Sequence, residues 1–129
     1  MSVGLRNNTL EQRRMTLAYR TLEKLAKDDR ETWKRAASGL GPEIQRSGLL
    51  QALAFLHRGP SEKIAEALCA MIREHLCSLG HLQERPSNPS FLVEVRDLDR
   101  AAYMRVTRET LALAVWLKRA GEILAKDKG

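Results

Sequence analysis

RAAYMRVTRETLALAVWLKRAGEILAK, residues 100–126, is the stretch from which the fold is read. It contains no proline, and at about 100° per residue Ala102, Val106, Leu113, Leu117, Ala120 and Leu124 fall on one side of a helix. Asp97 or Asp99 supplies the cap. Met104, Leu111 and Val115 make a second apolar stripe on nearly the opposite side. A helix of this kind is either the central one of its bundle or presents a face to another chain.

Helical spacing continues upstream. Thr9-Leu10-Glu11-Gln12 has the form of a capping box, and Met15, Ala18, Leu22 and Leu25 give the following helix an apolar face until about Asp28. Trp33, Ala37, Leu40 and Ile44 repeat in the same manner. Gly39, Gly41 and Pro42 lie among them, which predicts a kinked helix or two short ones. Ser47-Gly48 marks a stop and restart. Leu49 to His57 is apolar nearly all round and is expected to be the most buried element. Gly59-Pro60-Ser61 opens a helix bearing Ile64, Leu68, Met71, Ile72, Leu76 and Leu79, which ends near Gly80. Residues 81–90, with Pro86 and Pro89, read as a loop, and Phe91 to Val95 as one turn of helix.

The 129 residues suit one domain, and residues 1–8 read as a flexible start. Apolar residues reach 43% while aromatic ones stay at 5%, a balance that excludes a mainly disordered chain and argues against a sheet protein. The expectation is an all-α fold: one compact bundle of about five or six helices with a long C-terminal helix. No apolar run approaches the roughly 20 residues of a membrane span, and the first residues lack a signal peptide's apolar core, so a cytoplasmic protein is expected.

The formal net charge is +6. Residues 1–58 hold 11 basic and 6 acidic side chains, whereas residues 59–129 hold 11 and 10. That asymmetry suggests a polyanionic partner. On the first helix's wheel Arg13, Arg20, Lys24 and Lys27 gather within about 60°, opposite the apolar stripe, with Leu17 at the edge and Arg6 just before the helix. Such a ridge can track phosphates without reading sequence, although a solvated face has the same pattern. Arg105, Arg108 and Arg119 form a second basic sector on the last helix, with Glu109 and Glu122 elsewhere on its wheel. The scarcity of aromatic residues argues against base-stacking recognition of single strands.

Catalytic and metal chemistry is not marked. The histidines are His57, His75 and His81, and the cysteines are Cys69 and Cys77. The two cysteines stand about 12 Å apart along one predicted helix, too far for a disulfide. Neither Cys-x-x-Cys nor His-Glu-x-x-His spacing occurs, so no metal is expected. No Gly-rich phosphate loop or nucleophile elbow is present. The Arg-to-His spacing of small helical ribonucleases is also missing. No cofactor is expected, and the chain reads as a non-enzyme.

Two segments resemble a known family. Ser47-Gly48-Leu49-Leu50-Gln51-Ala52-Leu53-Ala54-Phe55-Leu56 is similar to the Gly-Leu-x-Gln-Ala-Leu-Ala-Phe helix of the small subunit of the type III-B CRISPR–Cas effector, the Cmr complex. Tyr103-x-x-Val106-Thr107, then Leu111 to Val115 and Trp116-Leu117-Lys118-Arg119, is similar to that family's closing helix. Residues 81–96 carry no such likeness. The resemblance implies a subunit without nuclease activity. Copies of it stack beside the backbone subunits of an RNA-guided antiviral particle, with basic surfaces along the guide and target RNA. Its partners are then other Cmr subunits, further copies of itself, and CRISPR and target RNA, with no membrane. On this reading residues 47–56 are core. Arg13, Arg20, Lys24, Lys27, Arg105, Arg108 and Arg119 are candidates for RNA contact, and Leu17, Met104, Leu111 and Val115 for subunit packing, all chosen from the wheels. Two alternatives remain: a helical DNA-binding regulator, with Glu43 to Ala67 as helix-turn-helix, and a purely protein-binding adaptor.

Overall fold

The structure, a computed structural model, describes residues 8–59, 61–84 and 90–127, with side chains through Ile123. Arg6, Pro60, Pro86, Pro89, the Leu124 side chain and residues 1–7 of the flexible start expected over 1–8 lie outside the described residues. The described chain forms six helices and no strand: α1 (Leu10–Glu23), α2 (Lys27–Ser47), α3 (Leu49–His57), α4 (Glu62–Ser78), α5 (Phe91–Arg96) and α6 (Arg100–Asp127).

The caps follow local chemistry. Thr9 Oγ1 accepts from the Gln12 backbone N–H at 3.1 Å, and Gln12 Oε1 accepts in return from the Thr9 N–H at 2.7 Å, which starts α1. At the starts of α4 and α5 the hydroxyls of Ser61 and Ser90 accept from the backbone N–H groups of Ile64 and Val93, without the return bond. At the head of α6 the acceptor is Asp99, 2.8 Å from the Ala102 N–H. Gly80, with φ +81°, ends α4 in a Schellman turn: the His81 N–H donates to the Leu76 carbonyl and the Gly80 N–H to that of Cys77.

Two expectations need correction, and one pair of alternatives is decided. The first helix does not run to Asp28. It stops at Glu23, because the Arg30 guanidinium donates to the Glu23 and Leu25 carbonyls and Asp28 and Asp29 suit the first turn of a new helix. Lys27 is consequently the first residue of α2. Of the two forms expected for the second stretch, one helix rather than two short ones is found, running from Lys27 to Ser47 through Pro42. An internal proline costs about 3 kcal/mol, but Trp33, Ala37, Leu40 and Ile44 all lie buried along the helix, and each large side chain recovers about 1.5–3 kcal/mol. Nor is α3 the most buried element. It buries Leu49, Ala52 and Leu53 but leaves Phe55 42% exposed, while α4 buries residues along its whole length.

The long last helix lies against α2 and α1 over most of its length. Val106, Leu113, Leu117 and Ala120 enter the core, as their spacing predicts. The two segments that carry the family resemblance also meet. Gly48 adopts φ +89°, a conformation that favours glycine, between α2 and α3, and the Tyr103 hydroxyl on α6 accepts from the Leu50 N–H at 3.3 Å.

Candidate nucleic-acid interface

Arg13 and Arg14 are adjacent in sequence and differ in role. Arg14 points inward and grips Glu109 of α6 with two hydrogen bonds, Nε to Oε2 at 2.7 Å and Nη2 to Oε1 at 2.8 Å. The buried His75 of α4 donates from Nε2 to the same Glu109 Oε2 at 2.8 Å. Burial alone pushes the Glu109 carboxyl up, yet the hydrogen bonds from Arg14 and His75 bring it below the usual carboxylate range. Burial pushes His75 down, and its bond to Glu109 only partly opposes this, so the imidazole is neutral and donates one proton. The Arg14 guanidinium is held charged by the bond to Glu109. This network joins α1, α4 and α6 and fixes which sides of α1 and α6 face outward.

Sequence reading missed these three residues, although a signal existed. Each sits inside an apolar stripe: Arg14 four before Ala18, His75 three after Ile72, and Glu109 three after Val106. A polar side chain at such a position needs a partner from another element. A second inter-element clamp, equally unmarked, joins Arg73 of α4 to Glu94 of α5 at 2.8 and 3.1 Å and to the Gln83 carbonyl at 2.7 Å.

Arg13 itself is half-buried, its Nη2 donating to Ser78 Oγ at 3.4 Å. Arg20 is exposed on α1, Lys24 is exposed at its C-terminal cap, and Lys27 is exposed on α2, so the ridge spans a helix break rather than one wheel. On α6, Arg105, Arg108 and Arg119 are exposed. Among the described residues none of these seven cations has a carboxylate partner. Arg119 lies over the half-buried Trp116 ring, 5.3 Å from its centroid, a contact that leaves its charge unneutralised.

The apolar candidates divide. Met104 and Val115 are 52% and 47% exposed, forming the outer stripe of α6, whereas Leu17 and Leu111 are half-buried against the core. Met15, expected on the inner face of α1, is 42% exposed, because α1 turns Ala18 and Leu22 inward instead. In α3, the element a helix-turn-helix would turn toward a groove, Leu49, Ala52 and Leu53 are buried.

Reactive side chains are placed in the core or on its margin. Cys69 Sγ lies 3.7 Å from His57 Nε2, and His57 Nδ1 lies 2.8 Å from Glu62 Oε2, an order resembling a cysteine hydrolase. Burial, aided by Glu62 and Glu66, pushes the Cys69 thiol up to about 11, so the sulfur is protonated and not a nucleophile at neutral pH. Cys69 and Cys77 are both free thiols on α4. Among the described residues no group of three or more His, Cys, Asp or Glu is placed to hold a metal ion, and no helix is long and apolar enough to cross a membrane.

The family model for the CRISPR-associated protein Cas_Cmr5 matches residues 10–124. The chain is 33% identical over 120 residues to the CRISPR system Cmr subunit Cmr5 of Thermotoga maritima, a match covering 93% of this chain and 88% of the relative. Its fold is similar to the crystal structure of a CRISPR-associated Cmr5 family protein from Thermus thermophilus, with a TM-score of 0.71 and 26% identity, covering 91% of this chain and 98% of the other. An all-helical chain with this α3 and this closing helix therefore belongs to the Cas_Cmr5 family, the small subunits of type III-B Cmr effectors.

Proposed function

We propose that the chain is a non-catalytic subunit of a type III-B particle, stacked beside its backbone subunits, whose basic helix faces contact guide and target RNA without reading sequence. One observation carries this reading. Arg20, Lys24, Lys27, Arg105, Arg108 and Arg119 stand exposed without a carboxylate partner among the described residues, while Arg14 and Arg73 are bound in inter-helix clamps. Unneutralised guanidinium and ammonium groups along helices release counterions when phosphates replace them. Met104 and Val115 supply apolar area for packing against further copies or neighbouring subunits.

The test is a particle reconstituted with guide RNA and this subunit, in which target-RNA retention is measured against salt. Changing Arg13, Arg20, Lys24 and Lys27 together to Glu is expected to weaken retention at least tenfold and to flatten its salt dependence. Unchanged retention removes those four from the interface. The same substitution at Arg105, Arg108 and Arg119 tests the α6 sector separately. Identical assembly of the particle with and without RNA, at unchanged affinity for RNA, favours the adaptor reading instead.

A further inference from the structure

The chain's two tryptophans have different surroundings. Trp33 of α2 is fully buried, whereas Trp116 of α6 is half-buried at the margin of the core. At about 100° per residue, Arg105, Ala112, Trp116, Arg119 and Ile123 fall within about 60° on the α6 wheel. Arg105 and Arg119 are exposed there, and so is Ile123. The ring therefore sits inside the α6 basic sector. Arg119 lies about one helical turn beyond it and Arg105 about three turns before it.

Charge and hydrogen bonding leave this ring available to a ligand. Of the acids within residues 100–123, Glu109 is held by Arg14 and His75, and Glu122 lies about 120° round the wheel from Trp116. The Trp116 indole N–H has no acceptor among the described residues, which leaves a donor for a base or phosphate oxygen. Arg119 lies 5.3 Å from the ring centroid and is held by no carboxylate among the described residues. A planar base between indole and guanidinium needs about 6.8 Å, twice the roughly 3.4 Å spacing of stacked bases. The exposed arginine has to move by only about 1.5 Å to admit one. The other such pair, Arg58 over Phe55 at 5.5 Å, lies on α3 beside a surface groove that also holds Glu43.

We propose that Trp116 and Arg119 receive one unpaired RNA base, stacked on the indole and covered by the guanidinium, while Arg105 holds a phosphate further along the same strand. A base inside a duplex is stacked on both faces, so the site takes single-stranded or extruded nucleotides. Aromatic residues are few in this chain, but one base needs one ring. The contact reads no sequence, because every base presents a π-face. This rests on the reading of the basic helix faces as RNA-contacting and names the form of RNA that the α6 sector engages.

The experiment titrates the full chain with a single-stranded oligouridine of about 12 nucleotides and with an RNA duplex of the same length, at about 20 mM salt. Binding is followed by tryptophan emission and by an independent affinity measurement, with folding checked by thermal melts. Oligouridine is expected to quench the emission of Trp116, with Trp33 enclosed and unresponsive. Trp116→Phe keeps a ring in place, so it is expected to bind within about twofold of wild type but to lose the quench. Trp116→Leu is expected to weaken single-strand binding at least about fivefold and to leave duplex binding unchanged, and Phe55→Leu is expected to alter neither. Equal single-strand affinity for Trp116→Leu and wild type, or equal quenching by duplex and oligouridine, overturns the proposal while leaving the RNA reading intact. A wild-type chain that binds neither RNA overturns both.

Discussion

The seam where α1, α4 and α6 meet and the outer faces of α1 and α6 draw on the same residue types for opposite purposes. Inside, Arg14, Glu109 and His75 neutralise and orient one another within 2.8 Å. Outside, Arg20, Arg105, Arg108 and Arg119 are left without such partners among the described residues. A cation's role here thus follows from whether a carboxylate from another helix reaches it. Arg13 and Arg14, one residue apart, show this most directly.

The largest effect is expected from Glu109→Ala. It strands the Arg14 guanidinium and the His75 imidazole in the seam, so a loss of about 3–5 kcal/mol is expected in urea denaturation. A loss below about 1 kcal/mol shows that the seam is no different from the surface. Glu109→Gln keeps the shape and is expected to fall between the two.

Acid is the next lever, and both titrating groups act in the same direction. His75 is held below its ordinary value of 6.5, so its contribution is complete above that pH and is lost as pH falls toward the lower folded value. Glu109, held below 4.5, contributes above that pH and loses its share as pH drops through its own folded value. Urea midpoints are expected to fall as pH is lowered from about 7 to 4, and to fall more steeply between about pH 6.5 and 4.5 in Glu109→Gln, which removes the carboxylate that opposes the downward push on His75. A flat profile contradicts the seam's electrostatics.

Smaller effects probe the local contacts around the seam. Removing the α1 cap with Thr9→Ala is expected to cost about 1 kcal/mol, seen as a lower melting temperature. Tyr103→Phe, which deprives the Leu50 N–H of its acceptor, is expected to cost about 0.5–1.5 kcal/mol in the same assay. Least of all, Arg105→Glu with Arg108→Glu is expected to shift stability by no more than about 0.5 kcal/mol. A loss of RNA retention from that double variant at unchanged stability completes the contrast with Glu109.

Much of the bundle was legible because its causes are local. The 3.6-residue repeat placed Val106, Leu113 and Leu117 in the core, and hydroxyl or carboxylate caps at Thr9, Ser61 and Asp99 opened helices where their short-range hydrogen bonds require. The wheel erred where a non-local contact intervened. Arg30 closes α1 early and moves Lys27 to another helix, and the orientation of α1 leaves Met15 outside. Of the candidate site, the exposed arginines of α6 could be named from periodicity, but not that Trp116 stays half-buried beside them while Trp33 is enclosed, which neighbouring helices decide.

An all-helical chain, most of its caps, and the α3 and α6 signatures of its family are written into the order of residues, since each depends on hydrogen bonds and repeats spanning a few positions. Packing in three dimensions was needed to establish that Arg14 is internal while Arg20 is free, and that Pro42 lies within an unbroken helix. Those outcomes turn on helices far apart in the chain being brought together, Arg14 and Glu109 being separated by 95 residues, where burial, pairing and shape are properties of neighbours that local spacing does not specify.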